Sequence, residues 1–106
     1  MPDLGLFPLR LVLFPGERLP LHIFEPRYRE LIAECREEGS EFGILLADDS
    51  GFRDVGTRMA VVEVLEELED GRLNIIVEGR SRFRLLELTE GRSFLTGRVE
   101  PDLDAV

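Results

Sequence analysis

The segment from Leu19 to Ile32 most limits what this chain can become. Leu19, Leu21 and Ile23 alternate with Pro20, His22 and Phe24, the period of a strand with one buried face. At Pro26 the period changes. Tyr28, Leu31, Ile32 and Cys35 fall at i, i+3, i+4 and i+7, one apolar stripe on a helix. Proline suits the first helical turn, because its missing N–H would have had no partner there. The fold must therefore hold a strand that runs directly into a helix. Nothing in the segment reads as catalytic.

The rest of the chain is mostly strand. Residues 4–14 are apolar but interrupted by Pro8, which gives two short strands or one bent strand. Pro15-Gly16 is a turn signal. The helix is expected from Pro26 to Glu38, with Gly39 as a left-handed cap. Glu25 complements the helix dipole at its start, whereas Glu37 and Glu38 oppose it at its end. The buried stripe must then hold the helix in place.

Phe42 to Ala47 is an apolar run read as a buried strand, and Asp48 to Gly56 as a loop. Asp70-Gly71 is a type I′ hairpin pair between Thr57–Glu69 and Arg72–Gly79. A two-residue loop there sets Leu68 opposite Leu73 and Val64 opposite Val77. It also sets Glu66 opposite Ile75, a poor match that a bulge near Leu65–Glu67 would relieve. Ser81–Leu88 and Phe94–Val99 read as two further strands around a Glu90-Gly91 turn. The fold class is mainly β (α+β). Six or seven mostly antiparallel strands form a small barrel, and one helix plugs its end.

Composition limits function. The 106 residues make one domain, 1–100, followed by a tail, 101–106. With a net charge of −9 the global field repels phosphate, which argues against a nucleic-acid partner and against anionic membranes. No apolar run has the length of a membrane span and no secretory signal is evident, so a cytoplasmic location is expected. Glutamine is absent and Asn74 is the only asparagine, which suits heat adaptation; all 13 basic residues are arginine, and the missing lysine cuts the other way and is explained equally well by a GC-rich genome. The absence of lysine excludes a Walker A loop and a Ser–Lys dyad within this chain.

Taken together, these landmarks resemble the N-terminal domain of Lon protease. They are Phe7-Pro8-Leu9, Val12 to Gly16, Leu19 to Tyr28, Val55-Gly56-Thr57, Asp70-Gly71-Arg72 and Val77 to Arg84. The resemblance runs from about Leu6 to Val99. It implies a PUA-like pseudo-barrel. It also implies a non-enzymatic, bacterial protein-recognition domain that binds unfolded or client polypeptides through apolar surface, with no cofactor. In the family a helical lobe comes next, so the chain is expected to be a short stand-alone protein or a fragment leading to an absent helical extension. The alternatives are a PUA-like RNA-binding module and a structural or self-association domain. The sequence leaves the oligomeric state open.

The residues able to carry chemistry are few. His22 and Cys35 are the only His and Cys. Cys35 lies on the apolar stripe, where an inert core thiol is the ordinary outcome, and a zinc site would need more such ligands. Asp48, Asp49 and Asp54, and the acidic arm Glu63 to Asp70, lack calcium-loop spacing and read as solvated faces. Arg80, Arg82 and Arg84 alternate with Ser81, Phe83 and Leu85. They present three guanidinium groups on one strand face, for an acidic partner or for nearby carboxylates. Phe24, Glu25, Arg27 and Tyr28 are the remaining partner-binding candidates. A Glu25–Arg29 ion pair at i, i+4 is expected to orient the joint.

Overall fold

The structure, a computed structural model, describes residues 3–11 and 13–102. Its elements run β1 (Leu4–Leu9), β2 (Arg18–Ile23), α1 (Pro26–Glu38), β3 (Phe42–Asp48), β4 (Gly51–Glu67), β5 (Leu73–Thr89) and β6 (Thr96–Pro101). The strand order is β2-β5-β4-β3-β1-β6, and β6 also pairs with β5. Five strands therefore close a ring, β1-β3-β4-β5-β6, and β2 lies outside it. β2 and β6 share one edge of β5: Leu73 to Glu78 face β2, and Phe83 to Thr89 face β6. Only β1–β3 is parallel among the described pairings; the others are antiparallel. Six strands and one helix match the expected mainly β class.

The helix forms as its sequence dictates. Glu25 at the N-cap is extended (φ −72, ψ 135), Pro26 opens the first turn, and Gly39 closes the helix at φ 63. The backbone N–H groups of Tyr28 and Arg29 both donate to the Glu25 carbonyl at 3.0 Å. Tyr28, Leu31, Ile32 and Cys35 are the buried residues of α1. They join Ile23, Phe42, Ile44, Met59, Leu73, Ile75 and Val77 in the larger core. Leu4, Leu6, Leu45 and Phe83 make a second core, which in β1 and β3 lies on the face opposite the first. β1 and β3 thus bury both faces, which explains the unbroken apolar run of β3.

Several expectations are corrected. Leu11, Leu13 and Phe14 form no strand; Val12 lies outside the described residues. The chain leaves β1 after Leu9, and the Thr57 hydroxyl pins it by donating to the Leu13 carbonyl at 2.7 Å. Phe52 to Gly56 are strand rather than loop. A short Asp49-Ser50 link suffices, because Gly51 takes φ +111 and the Ser50 N–H donates to Asp48 Oδ1 at 2.8 Å. β5 runs through Gly79–Ser81 without a break. Gly79 serves close approach instead: a Cβ there would stand 2.5 Å from the Phe14 carbonyl oxygen. Pro101 is the last residue of β6 rather than the first of a tail, and Leu103–Val106 lie outside the described residues.

The β4–β5 register differs by one from that of a two-residue loop. Glu67 faces Leu73, because Leu68 N–H donates to the Arg72 carbonyl and closes a wider connection. Irregularities follow between Val64/Glu66, Val61/Glu63 and Thr57/Met59, so Val61 rather than Val64 faces Val77. The first lies at the expected bulge. The wider connection itself brings Glu66 opposite Asn74, whose amide donates to it at 2.9 Å, and the bulge then sets Val64 opposite Ile75.

Candidate functional site

β1 has one open side. β6 pairs with it only at Leu4 and Gly5, and the Leu6 N–H donates to the Leu95 carbonyl at 2.8 Å. Backbone groups alternate along a strand, so the Pro8 nitrogen faces that same side, where β6 has already departed. A proline is tolerated there because it forfeits no ladder hydrogen bond. β2 is the terminal strand of the sheet order, so its outer edge is open too.

Between these strands and the start of α1 lies a groove of about 470 Å³. Phe7, Leu9, Leu21, Ile23, Phe24 and Tyr28 supply its apolar surface, with Glu25 and Arg27 at the helix end. Tyr28 is its buried wall and stacks on Phe7 with ring centroids 4.1 Å apart. Phe24 is 56% exposed and stacks on His22 at 5.6 Å. Among the described large apolar side chains it is one of the most exposed, and it has nothing over its outer face to bury it. Such an exposed ring beside an apolar groove is a feature of binding surfaces rather than of sealed cores.

The polar rim is fixed by one pair. The Arg27 guanidinium donates to Glu25 Oε2 at 2.9 Å and lies over the Tyr28 ring at 4.7 Å. Hydrogen bonding to Glu25 raises the Arg27 pKa further, so this cation persists at any physiological pH. Burial pushes the Tyr28 phenol up, against the opposing pull of Arg27, so it stays protonated and neutral. The expected Glu25–Arg29 pair does not form. Arg29 points the other way and donates to the Asp70 carbonyl, tying α1 to the β4–β5 connection.

The structure brings Phe24, Glu25, Arg27 and Tyr28 together. It does not bring Arg80, Arg82 or Arg84 to them. Arg80 pairs with Glu78 at 2.7 Å, and Arg84 with Asp54 at 3.1 Å and Asp102 at 3.6 Å. Of the residues that alternate with these arginines, Phe83 is fully buried and Ser81 is exposed. His22 Nδ1 meets Asn74 Oδ1 at 2.6 Å, and Cys35 is buried, with its thiol pKa raised by burial. Among the described residues no cluster of three His, Cys, Asp or Glu is placed to hold a metal. Asp48 and Asp54 neutralise Arg53 and Arg84.

Sequence reasoning missed Phe7, Leu9, Leu21 and Ile23 as apolar groove residues. Pro8 was the available signal: a proline inside an apolar strand marks an edge.

The chain thus forms a closed mixed barrel with one helix packed on it and an apolar groove at the strand–helix joint. The family model of the ATP-dependent protease La (LON) substrate-binding domain matches residues 3–105. The chain belongs to this Lon substrate-binding domain family. It is 36% identical over 103 residues to the Lon protease of Parabacteroides distasonis, covering 89% of this chain and 12% of that protein. It is 33% identical over 106 residues to the Lon protease of Anaeromyxobacter dehalogenans, covering 92% of this chain and 12% of that one. The chain therefore spans about an eighth of the curated relatives it matches. The crystal structure of a Lon N-terminal domain protein from Xanthomonas campestris superposes with a TM-score of 0.80 at 35% identity, over 98% of this chain and 63% of that one. The N-terminal domain of a Mycobacterium avium complex Lon protease shares the fold, with a TM-score of 0.76 at 16% identity, over 99% of this chain and 57% of that one.

Proposed function

We propose that this chain is a non-enzymatic recognition domain that captures exposed apolar segments of unfolded or client polypeptides. The observation that carries the reading is the open apolar groove at the β2–α1 joint, with Phe24 standing 56% exposed at its mouth. Phe24, Tyr28 and Phe7 supply apolar area, and the Glu25–Arg27 pair supplies a polar rim. The open sides of β1 and β2 add backbone groups that an extended client can use. Affinity is expected to be micromolar or weaker, because an unstructured client loses its freedom on binding.

Membership in a substrate-binding family supports the same reading, and a cytoplasmic location is part of the proposal. Among the described residues no helix is long and apolar enough to cross a membrane. Residues 1–100 would be the recognition unit, with Pro101 completing its last strand. The RNA-binding alternative finds less support, since Arg80 and Arg84 are already matched to carboxylates.

The test is a titration of a fluorescently labelled, permanently unfolded polypeptide, with Phe24→Ser in parallel. Saturable binding that this substitution weakens supports the proposal. No binding at high protein concentration, or equal binding by the variant, overturns it. Binding that instead tracks RNA and collapses with salt favours the alternative.

A further inference from the structure

Arg82 differs from every other described arginine. Each of the others has an ion pair or a hydrogen bond to an acceptor; the Arg82 guanidinium has none, although the chain carries 22 carboxylate side chains. Its Nε is buried without a hydrogen-bond partner. Its charged end rests over the ring of Phe14, 5.9 Å from the centroid, and Phe14 is itself 57% exposed. Leaving a guanidinium half-buried and unmatched is costly, and folds that gain nothing from it replace or pair it.

Beside Arg82 opens a cleft of about 290 Å³, walled by Leu11, Leu13, Leu46 and Val55, with Thr57 at its floor. This is at the low end of ligand pockets, about 300–1,000 Å³, and suits a side chain rather than a cofactor. The two other charged residues on its rim are already engaged: Arg53 with Asp48 at 3.0 Å, and Asp54 with Arg84 at 3.1 Å. One positive charge is left over, beside one apolar hole.

We infer that the Arg82 cleft binds the C-terminal carboxylate of a polypeptide whose last residue is aliphatic. A guanidinium forks onto a planar carboxylate through two parallel N–H···O bonds. A single residue offers a carboxylate and an apolar side chain on the same Cα only at a chain terminus. Internal Asp or Glu must borrow the apolar group from a neighbour. A phosphate dianion fits less well, because Asp54 and Asp102 lie close by around Arg84. The loop carrying Leu11 and Leu13 is held ready by Thr57, which donates to the Leu13 carbonyl, and by paired bonds at Gly79 to Gly16 and Glu17. The cleft is thus set before a ligand arrives. This inference rests on the reading of the chain as a polypeptide-binding domain, at a surface separate from the Phe24 groove.

The experiment titrates the whole chain, followed by amide chemical shifts, with three short probes: acetyl-Gly-Gly-Leu as the free acid, the same peptide as its C-terminal amide, and acetyl-Gly-Glu-Leu amide. The free acid is expected to shift Leu11, Thr57 and Arg82 and to bind about ten-fold or more tightly than either amide, the worth of one charge-assisted fork. Arg82→Gln should erase that difference, and Arg82→Lys should keep only part of it. Phe24→Ser should leave it intact, which separates failure here from failure of the groove. Equal binding of acid and amide by the unaltered chain overturns the inference whatever the variants do. So does a Glu-containing amide that matches the free acid, or a difference that survives in Arg82→Gln.

Discussion

The ring of Phe83 fills the space where a side chain on Gly56 would begin: a Cβ built there stands 2.5 Å from the ring and 2.4 Å from the Ile44 carbonyl oxygen. Gly43 sits under the same ring, 2.7 Å from it on the same measure. The two glycines let β3 and β4 close around a fully buried phenylalanine. Gly56→Ala is therefore expected to destabilise by about 1–3 kcal/mol through overpacking. Phe83→Ala should cost about 3–5 kcal/mol through the cavity it leaves. Thermal or urea unfolding checks both, and a neutral Gly56→Ala would contradict the packing described.

Phe24 and Tyr28 should separate binding from stability. Phe24 is mostly exposed, so Phe24→Ser is expected to change unfolding free energy by less than about 0.5 kcal/mol, while weakening capture of an unfolded polypeptide. Tyr28 is 8% exposed and stacked on Phe7, so Tyr28→Ala should lose about 3 kcal/mol of stability as well as binding. Urea melts alongside the polypeptide titration provide the comparison.

Acid should loosen the β2–β5 pairing. The Arg18 guanidinium donates to Glu78 at 2.8 Å, and this hydrogen bond, with Arg80 nearby, holds the Glu78 carboxyl below its usual value. Asp70 is held low chiefly by the Arg72 backbone N–H. Both groups have a lower pKa folded than unfolded. Each contributes stability above the unfolded value, and that contribution fades as pH falls through the folded value. Glu78→Gln should flatten this acid limb in melts recorded from pH 6 downward, and added salt should shrink the difference because the pair is exposed.

Cys35 should be inert at neutral pH. Burial raises its thiol pKa, so the reactive thiolate is scarce and shielded. Because the folded state holds the proton more tightly, stability falls as pH rises above the unfolded thiol value. Iodoacetamide labelling is expected to be slow in the native protein at pH 7 and rapid in denaturant. Rapid native labelling would place the thiol outside the core.

How much of this was legible depends on how local the cause is. The β2–α1 joint was readable because Pro26, the i, i+3, i+4, i+7 stripe and Gly39 all act within a few residues of one another. The same segment held seven of the ten residues that line the groove. The β4–β5 register was not readable, since a five-residue connection from Leu68 to Arg72 closes where Asp70-Gly71 alone signalled two. Gly56 and Gly79 looked like turns, yet each is a strand residue that admits a distant group, Phe83 or the Phe14 carbonyl. The contribution of Phe7 and Leu9 to the groove depends on where β6 leaves β1, and the isolation of Arg82 depends on carboxylates that Arg80 and Arg84 have already taken. Pro8 marks the first as an edge without saying what lies beside it, and no local pattern encodes the second.

The parallel β1–β3 pair also has a kinetic consequence. β3–β4, β4–β5 and β5–β6 are neighbours along the chain and form by local closure, whereas β1 must dock against β3 and also against β6 near the other end of the sequence. Loop-closure entropy makes such distant pairing slow, so the sheet is expected to assemble first as an open curl awaiting its first strand. Until that strand arrives, the inner edges of β3 and β6 form a slot that any copy of the chain can fill. Refolding at high concentration should then yield strand-exchanged dimers, which dilution before refolding prevents.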